Sequence, residues 1–153
     1  MVYFDYDGVL QDTWEIIHQK KIMRRIEDVC EFYSTLDWRD ILENSKWIND
    51  NVEILKNLRS TLDVSILTSI SSLNEGIEKV KWIKMKLGDI GIVLVPYGLS
   101  KTDLVLSKGN VLIDDHERNI SEWIQHGGVG FLYSCNSKIK IEEVVEQSRM
   151  KQI

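Results

Sequence analysis

Five short apolar runs rich in β-branched residues constrain this chain most: Val2-Tyr3-Phe4, Val64-Ser65-Ile66-Leu67, Ile92-Val93-Leu94-Val95, Val111-Leu112-Ile113 and Val129-Gly130-Phe131-Leu132-Tyr133. Runs this short, without polar alternation, suit strands covered on both faces. Between them lie segments with helical spacing. Trp47 to Arg59 carries Ile48, Val52, Ile54, Leu55 and Leu58; Gly76 to Leu87 carries Ile77, Val80, Ile83 and Leu87. Asn119 to His126 carries Ile120, Trp123 and Ile124 and ends at Gly127-Gly128, and Ile139 to Gln152 closes the chain. Strands alternating with helices predict an α/β fold, a Rossmann-like parallel sheet of about five strands flanked by helices. The sole proline, Pro96, follows the third run, where it ends a strand without removing a ladder bond.

One segment interrupts the alternation. From about residue 12 to 44 the chain holds more residues than a crossover helix needs, with Trp14, Phe32, Tyr33 and Trp38 among them. It predicts a small helical cap inserted after the first strand, within a single domain spanning 1–153. The aromatics serve either as the cap's own core or as a surface for an aromatic ligand.

The bulk numbers narrow the function classes. The chain has 153 residues, 43% apolar and 28% charged, as in a globular domain. A net charge of −5 argues against a basic surface for a stable nucleic-acid partner. Cys30 and Cys135 are too few and too far apart for a disulfide framework or a thiolate zinc site, which predicts a cytoplasmic, reducing setting. The first residues lack the basic and apolar regions of a signal peptide, and no run is long enough to cross a membrane. Nothing in the sequence fixes an oligomeric state.

In open parallel sheets, ligands sit beyond the carboxyl ends of the strands. Asp5-Tyr6-Asp7-Gly8 follows the first run, Thr68-Ser69 the second and Asp114-Asp115 the fourth, while Lys101 comes shortly after the third. All belong at one rim. Asp5 and Asp7 point the same way in extended chain, and Gly8 lets the backbone turn behind them. Four carboxylates gathered there cannot all stay ionised without a cation. Oxygen ligands with no cysteine or histidine pair nearby point to Mg²⁺. Metal and lysine together would balance an incoming phosphate, and one carboxylate could attack phosphorus while another moves protons.

Asp5-Tyr6-Asp7-Gly8-Val9-Leu10, Thr68, Lys101 and the Asp114-Asp115 pair resemble, in order, the four motifs of the haloacid dehalogenase-like (HAD) superfamily. The likeness spans residues 2 to 119. It implies a Mg²⁺-dependent phosphomonoester hydrolase in which Asp5 is nucleophile and metal ligand. Asp7 would be the general acid/base and offer the metal its backbone carbonyl. Thr68 and Ser69 would hold the transferring phosphoryl group, and Lys101 would steady it. Asp115 would ligate the metal directly, with Asp114 beside it and Asn119 downstream. Leu67-Thr68-Ser69, Lys101-Thr102-Asp103, Val111 to Asp115 and Gly127-Gly128 further resemble the 5'(3')-deoxyribonucleotidase branch and its phage and bacterial relatives, which implies a small phosphorylated substrate, a nucleotide. Other readings are a phosphatase acting on polynucleotide ends or another small metabolite, and a non-catalytic phosphoryl-binding protein.

Rival motifs fit less well. Val9 stands where a calcium loop needs an acid or amide, and no acid directly follows the third run as a receiver domain requires. Gly98-Leu99-Ser100-Lys101-Thr102 lacks the first glycine of a phosphate loop. Ser100 and Asp103 instead predict a capping box that sets Lys101 at a helix start. His18, His116 and His126 share no ligand spacing and read as surface or packing residues, with His116 adjoining the acid pair. Lys79, Lys81, Lys84 and Lys86 read as a solvated helix face.

Overall fold

The computed structural model describes residues 1–22 and 29–150. In chain order its elements are β1 (Val2–Phe4), β2 (Gln11–Asp12), α1 (Thr13–Ile22), α2 (Val29–Ser34), α3 (Trp38–Asn44), β3 (Lys46–Trp47), α4 (Asn51–Arg59) and β4 (Val64–Ile70). They continue as α5 (Leu73–Leu87), β5 (Gly91–Pro96), α6 (Lys101–Leu104), β6 (Val111–Asp114), α7 (Glu117–Gln125), β7 (Val129–Leu132) and α8 (Ile141–Met150). All five apolar runs form strands, in one parallel sheet of order β5-β4-β1-β6-β7. The chain moves outward from the central β1 twice, once to each side. The rim beside β1 is therefore where the direction of winding changes, and a crevice opens there.

Successive side chains on these strands face opposite layers. Phe4, Ile66 and Ile113 pack with Leu55 and Leu58 of α4, Ile83 of α5 and Val144 of α8. Their neighbours Tyr3, Leu67 and Leu112 pack with Ile120 and Trp123 of α7 on the other face. Each strand is thus apolar at consecutive positions because both of its faces are covered.

Several boundaries differ from the sequence reading. Thr68 and Ser69 lie inside β4, paired with Leu94 and Val95, rather than after it. Asp114 is the last residue of β6. Trp47 belongs to β3, and α4 starts at Asn51, whose side-chain amide donates to the Val9 carbonyl at 2.7 Å. On α5 the buried face runs through Glu75, Lys79, Ile83 and Leu87, while Ile77, expected to face the core, is exposed. The closing helix ends at Met150 among the described residues; 151–153 lie outside them.

The inserted segment leaves and rejoins the sheet through a two-stranded antiparallel stem, in which Gln11 pairs with Trp47 and Asp12 with Lys46. Of the expected 12–44 insertion, residues 23–28 lie outside the described set. Its helices α1, α2 and α3 bury a cluster of their own, Ile17, Phe32, Tyr33, Leu36, Trp38 and Ile41. Gln11 ties the stem down. Its fully buried amide donates to the Leu42 and Ser45 carbonyls at 2.7 and 2.9 Å and accepts from Tyr6 at 2.5 Å and Trp82 at 3.1 Å.

Candidate active site

The chain turns sharply after β1. The Tyr6 carbonyl accepts from both Leu10 and Gln11, at 2.9 and 3.1 Å, and Gly8 takes a φ of 76°. Glycine is required there twice over. An L side chain is strained at that φ, and a Cβ would fall on the carboxylate of Asp115. The close approach brings the end of β6 against the first turn.

Asp5, Asp114 and Asp115 each present a carboxylate oxygen within 4.8 Å of the other two. Lys101 stands between two of them, 3.0 Å from Asp5 Oδ1 and 2.5 Å from Asp114 Oδ2. It is placed by α6, whose start is fixed by the Ser100 amide donating to Asp103 at 2.7 Å. Burial disfavours the Lys101 charge, but Asp5 and Asp114 outweigh burial and raise its pKa. Burial pushes the Asp5 carboxyl up to about 7; Lys101 opposes this, and Asp114 and Asp7 add to it. Burial, with Asp114 adding to it, pushes Asp115 up to about 6.

Three carboxylates against one ammonium leave two negative charges unbalanced when all are ionised. The donor set is entirely oxygen, so it fits a hard divalent cation such as Mg²⁺. The two acids of the downstream pair differ in what they have left to offer. Asp114 is fully buried and accepts from Lys101, from Asn119 Nδ2 at 3.0 Å and from the His116 amide at 2.7 Å. Asp115 is half-buried, lines the cavity, and receives no side-chain hydrogen bond among the described residues. In Asp5, Oδ1 takes both Lys101 and the Tyr6 amide (2.8 Å), which leaves Oδ2 without a hydrogen-bond donor among the described residues.

The Asp7 side chain is held apart from that cluster. Its Oδ1 accepts from Thr13 at 2.6 Å, and its Oδ2 from Thr68 at 3.3 Å and from Lys79. Lys79 is the residue the sequence reading misplaced: it is fully buried, not on a solvated face. It also pairs with Glu75 at 2.6 Å, donates to the Ser69 carbonyl at 3.2 Å, and lies 5.5 Å from the centre of the Trp38 ring. Its position was legible. Glu75, Lys79, Ile83 and Leu87 recur every four residues, so they share one face. Lys81, Lys84 and Lys86 are exposed, as are His18, His116 and His126.

Above these groups opens a cavity of about 710 Å³, lined on the sheet side by Asp5, Asp7, Ser69 and Asp115. Thr68 lies beneath its wall, fully buried, with its hydroxyl on Asp7. Tyr33 and Trp38 reach the cavity but are largely spent in the cluster of the inserted helices, whereas Trp14 is 48% exposed at its edge. Tyr97, unremarked in the sequence, lines the other side and is 74% exposed.

No protein-family model and no curated protein matches the chain. Solved structures do. A haloacid dehalogenase-like family hydrolase from Streptococcus pneumoniae superposes with a TM-score of 0.59 at 12% identity, covering 95% of this chain and 89% of its own. A HAD-superfamily hydrolase from Ehrlichia chaffeensis gives 0.55 at 14% identity, covering 99% and 97%. A family IA HAD hydrolase from Entamoeba histolytica gives 0.56 at 12% identity, covering 97% and 98%. The fold is that of the HAD hydrolases.

Proposed function

We propose, from this fold and from the groups at its rim, that the protein is a Mg²⁺-dependent phosphomonoester hydrolase acting on a nucleotide. The observation that carries the reading is the grouping of the Asp5, Asp114 and Asp115 carboxylates, with Lys101 paired to Asp5 and Asp114 and with Asp5 and Asp115 open to the cavity. Asp5, Asp115 and the backbone carbonyl of Asp7 would hold the cation, which supplies charge to offset the carboxylates and the phosphate. Asp114, with both oxygens engaged by the protein, would position Lys101 and Asn119 beside it.

Asp5 Oδ2 attacks phosphorus, the bond to the leaving oxygen breaks, and an aspartyl-phosphate forms. Lys101, fixed on Asp5 Oδ1, faces charge developing on the transferred group. Asp7 would enter the reaction protonated on Oδ1, whose one partner among the described residues is the rotatable Thr13 hydroxyl, give that proton to the leaving alkoxide, and recover one from the water that attacks the aspartyl-phosphate and releases inorganic phosphate. Ser69 on the wall would bind the phosphoryl group, with Thr68 supporting Asp7 from below. The inserted helices act as a cap that limits water at the reacting centre. Trp14 and Tyr97 offer ring faces at the cavity's sides, which supports a nucleobase as the distal part of the substrate.

The test is phosphate release over nucleoside monophosphates, sugar phosphates and 3'- or 5'-phosphorylated oligonucleotides, with and without Mg²⁺. Release from mononucleotides that needs Mg²⁺ and is lost in Asp5→Asn supports the reading. A preference for oligonucleotide ends would move the substrate class to polynucleotides. Binding of phosphate esters without turnover of any would make this a binding protein.

A further inference from the structure

We propose that Glu75 and Lys79 are a positioning pair for Asp7, fixing the carboxylate that handles the leaving-group proton. The inference rests on the reaction proposed above and adds two residues to it.

Lys79 has three donors, and three oxygens take them: Asp7 Oδ2, Glu75 Oε1 and the Ser69 carbonyl. The ammonium is therefore fully committed. It is also fully buried and does not line the cavity, so it is a fixed post behind Asp7 rather than a hand for the substrate. Trp38 of the insertion lies over it. That cover keeps water away and strengthens each charge interaction beneath.

Glu75 fixes the post in turn. One of its oxygens holds Lys79, and the other accepts the Ser71 amide at 2.7 Å, just past the end of β4. Lys79 thus cannot swing toward the phosphate site without breaking a buried ion pair. Asp7 ends up gripped on both oxygens, by Thr13 at the start of the insertion and by Lys79 from α5. A carboxylate that must meet a leaving oxygen benefits from such a fixed direction, because small displacements of reacting groups cost large factors in rate. A helix cap alone would explain the bond from Glu75 to Ser71. It does not explain why a lysine is buried between Glu75 on its own helix face and Asp7 of the turn after β1.

Leaving-group dependence separates this role from a structural one. An alkyl phosphate such as a nucleoside 5'-monophosphate needs its leaving oxygen protonated; p-nitrophenyl phosphate does not. Glu75→Gln keeps the shape and the acceptor for Ser71. It is expected to lower kcat for the alkyl ester by about tenfold or more, to change kcat for the aryl ester less than about threefold, and to leave both KM values near wild type. The double variant Glu75→Gln/Lys79→Met, which removes the buried pair together, is expected to show the same split. Asp7→Asn is the reference for the full effect. Equal losses on both esters, or no loss on either, in a variant with a native thermal transition would overturn the pairing and leave the phosphatase reading standing. A wild-type protein that turns over neither ester would overturn both.

Discussion

The carboxylate of Asp115 lies against the α-carbon of Gly8, so closely that a methyl group there would occupy the same space. The two residues are remote in sequence, and their approach joins the first turn to the end of β6. Gly8→Ala should therefore act at a distance. Its positive φ alone costs about 1–2 kcal/mol for an alanine, and the displaced Asp115 should weaken Mg²⁺ binding. Denaturant unfolding with and without Mg²⁺ measures both: the loss of stability should be larger in Mg²⁺ than in EDTA.

The raised acids predict how stability depends on pH. Asp5 and Asp115 sit at about 7 and about 6 in the fold, against an ordinary value of 3.8. The folded, metal-free protein thus binds more protons than the unfolded chain between those values, so this contribution to stability falls as pH rises from about 4 to about 7. Asp115→Asn removes one of the repelling charges. In EDTA it should melt above wild type at pH 8, with the advantage shrinking toward pH 4. Saturating Mg²⁺ at pH 8 should reverse the order.

Trp14 and Trp38 both reach the cavity but should respond differently. Trp38 is buried in the cluster of the inserted helices, so Trp38→Ala should cost about 3–5 kcal/mol. Trp14 is half exposed, and Trp14→Ala should stay within about 0.5 kcal/mol of wild type. Loss of a stacking face should raise KM for a mononucleotide about tenfold and leave KM for glycerol phosphate unchanged. Equal changes in KM for the two substrates would remove Trp14 from base binding.

Lys101 pairs with both Asp5 and Asp114 from a buried position. Lys101→Met leaves both acids facing each other and should cost about 3–5 kcal/mol, partly recovered by Mg²⁺. Turnover should fall by about a hundredfold or more even where the variant is fully folded.

The sheet was legible because strands covered on both faces leave unbroken apolar runs, as at Val111-Leu112-Ile113. The converging acids were legible because parallel strands deliver their carboxyl ends to one rim. The stem was not: β2 and β3 are two residues each, too short for any periodicity, and Trp47 reads equally well as the start of α4. Lys79 is hidden among Lys81, Lys84 and Lys86, which point in other directions and are exposed, so the run as a whole looks solvated. A lysine on a face shared with Ile83 and Leu87 has to be buried, and burial demands the acids found beside it. Phe32, Tyr33 and Trp38 could not be divided from Trp14 by residue type, since only packing decides which rings fill a small core and which remain at the cavity.

The central claim is a covalent phosphoryl group on Asp5. Rapid acid quench of the enzyme turning over a ³²P-labelled nucleoside monophosphate in Mg²⁺, followed by borohydride reduction and peptide mass spectrometry, tests it directly. The account predicts label that forms and decays at the rate of turnover, with homoserine at position 5 after reduction. Full turnover with no label at Asp5, or activity that persists in Asp5→Asn, would contradict it.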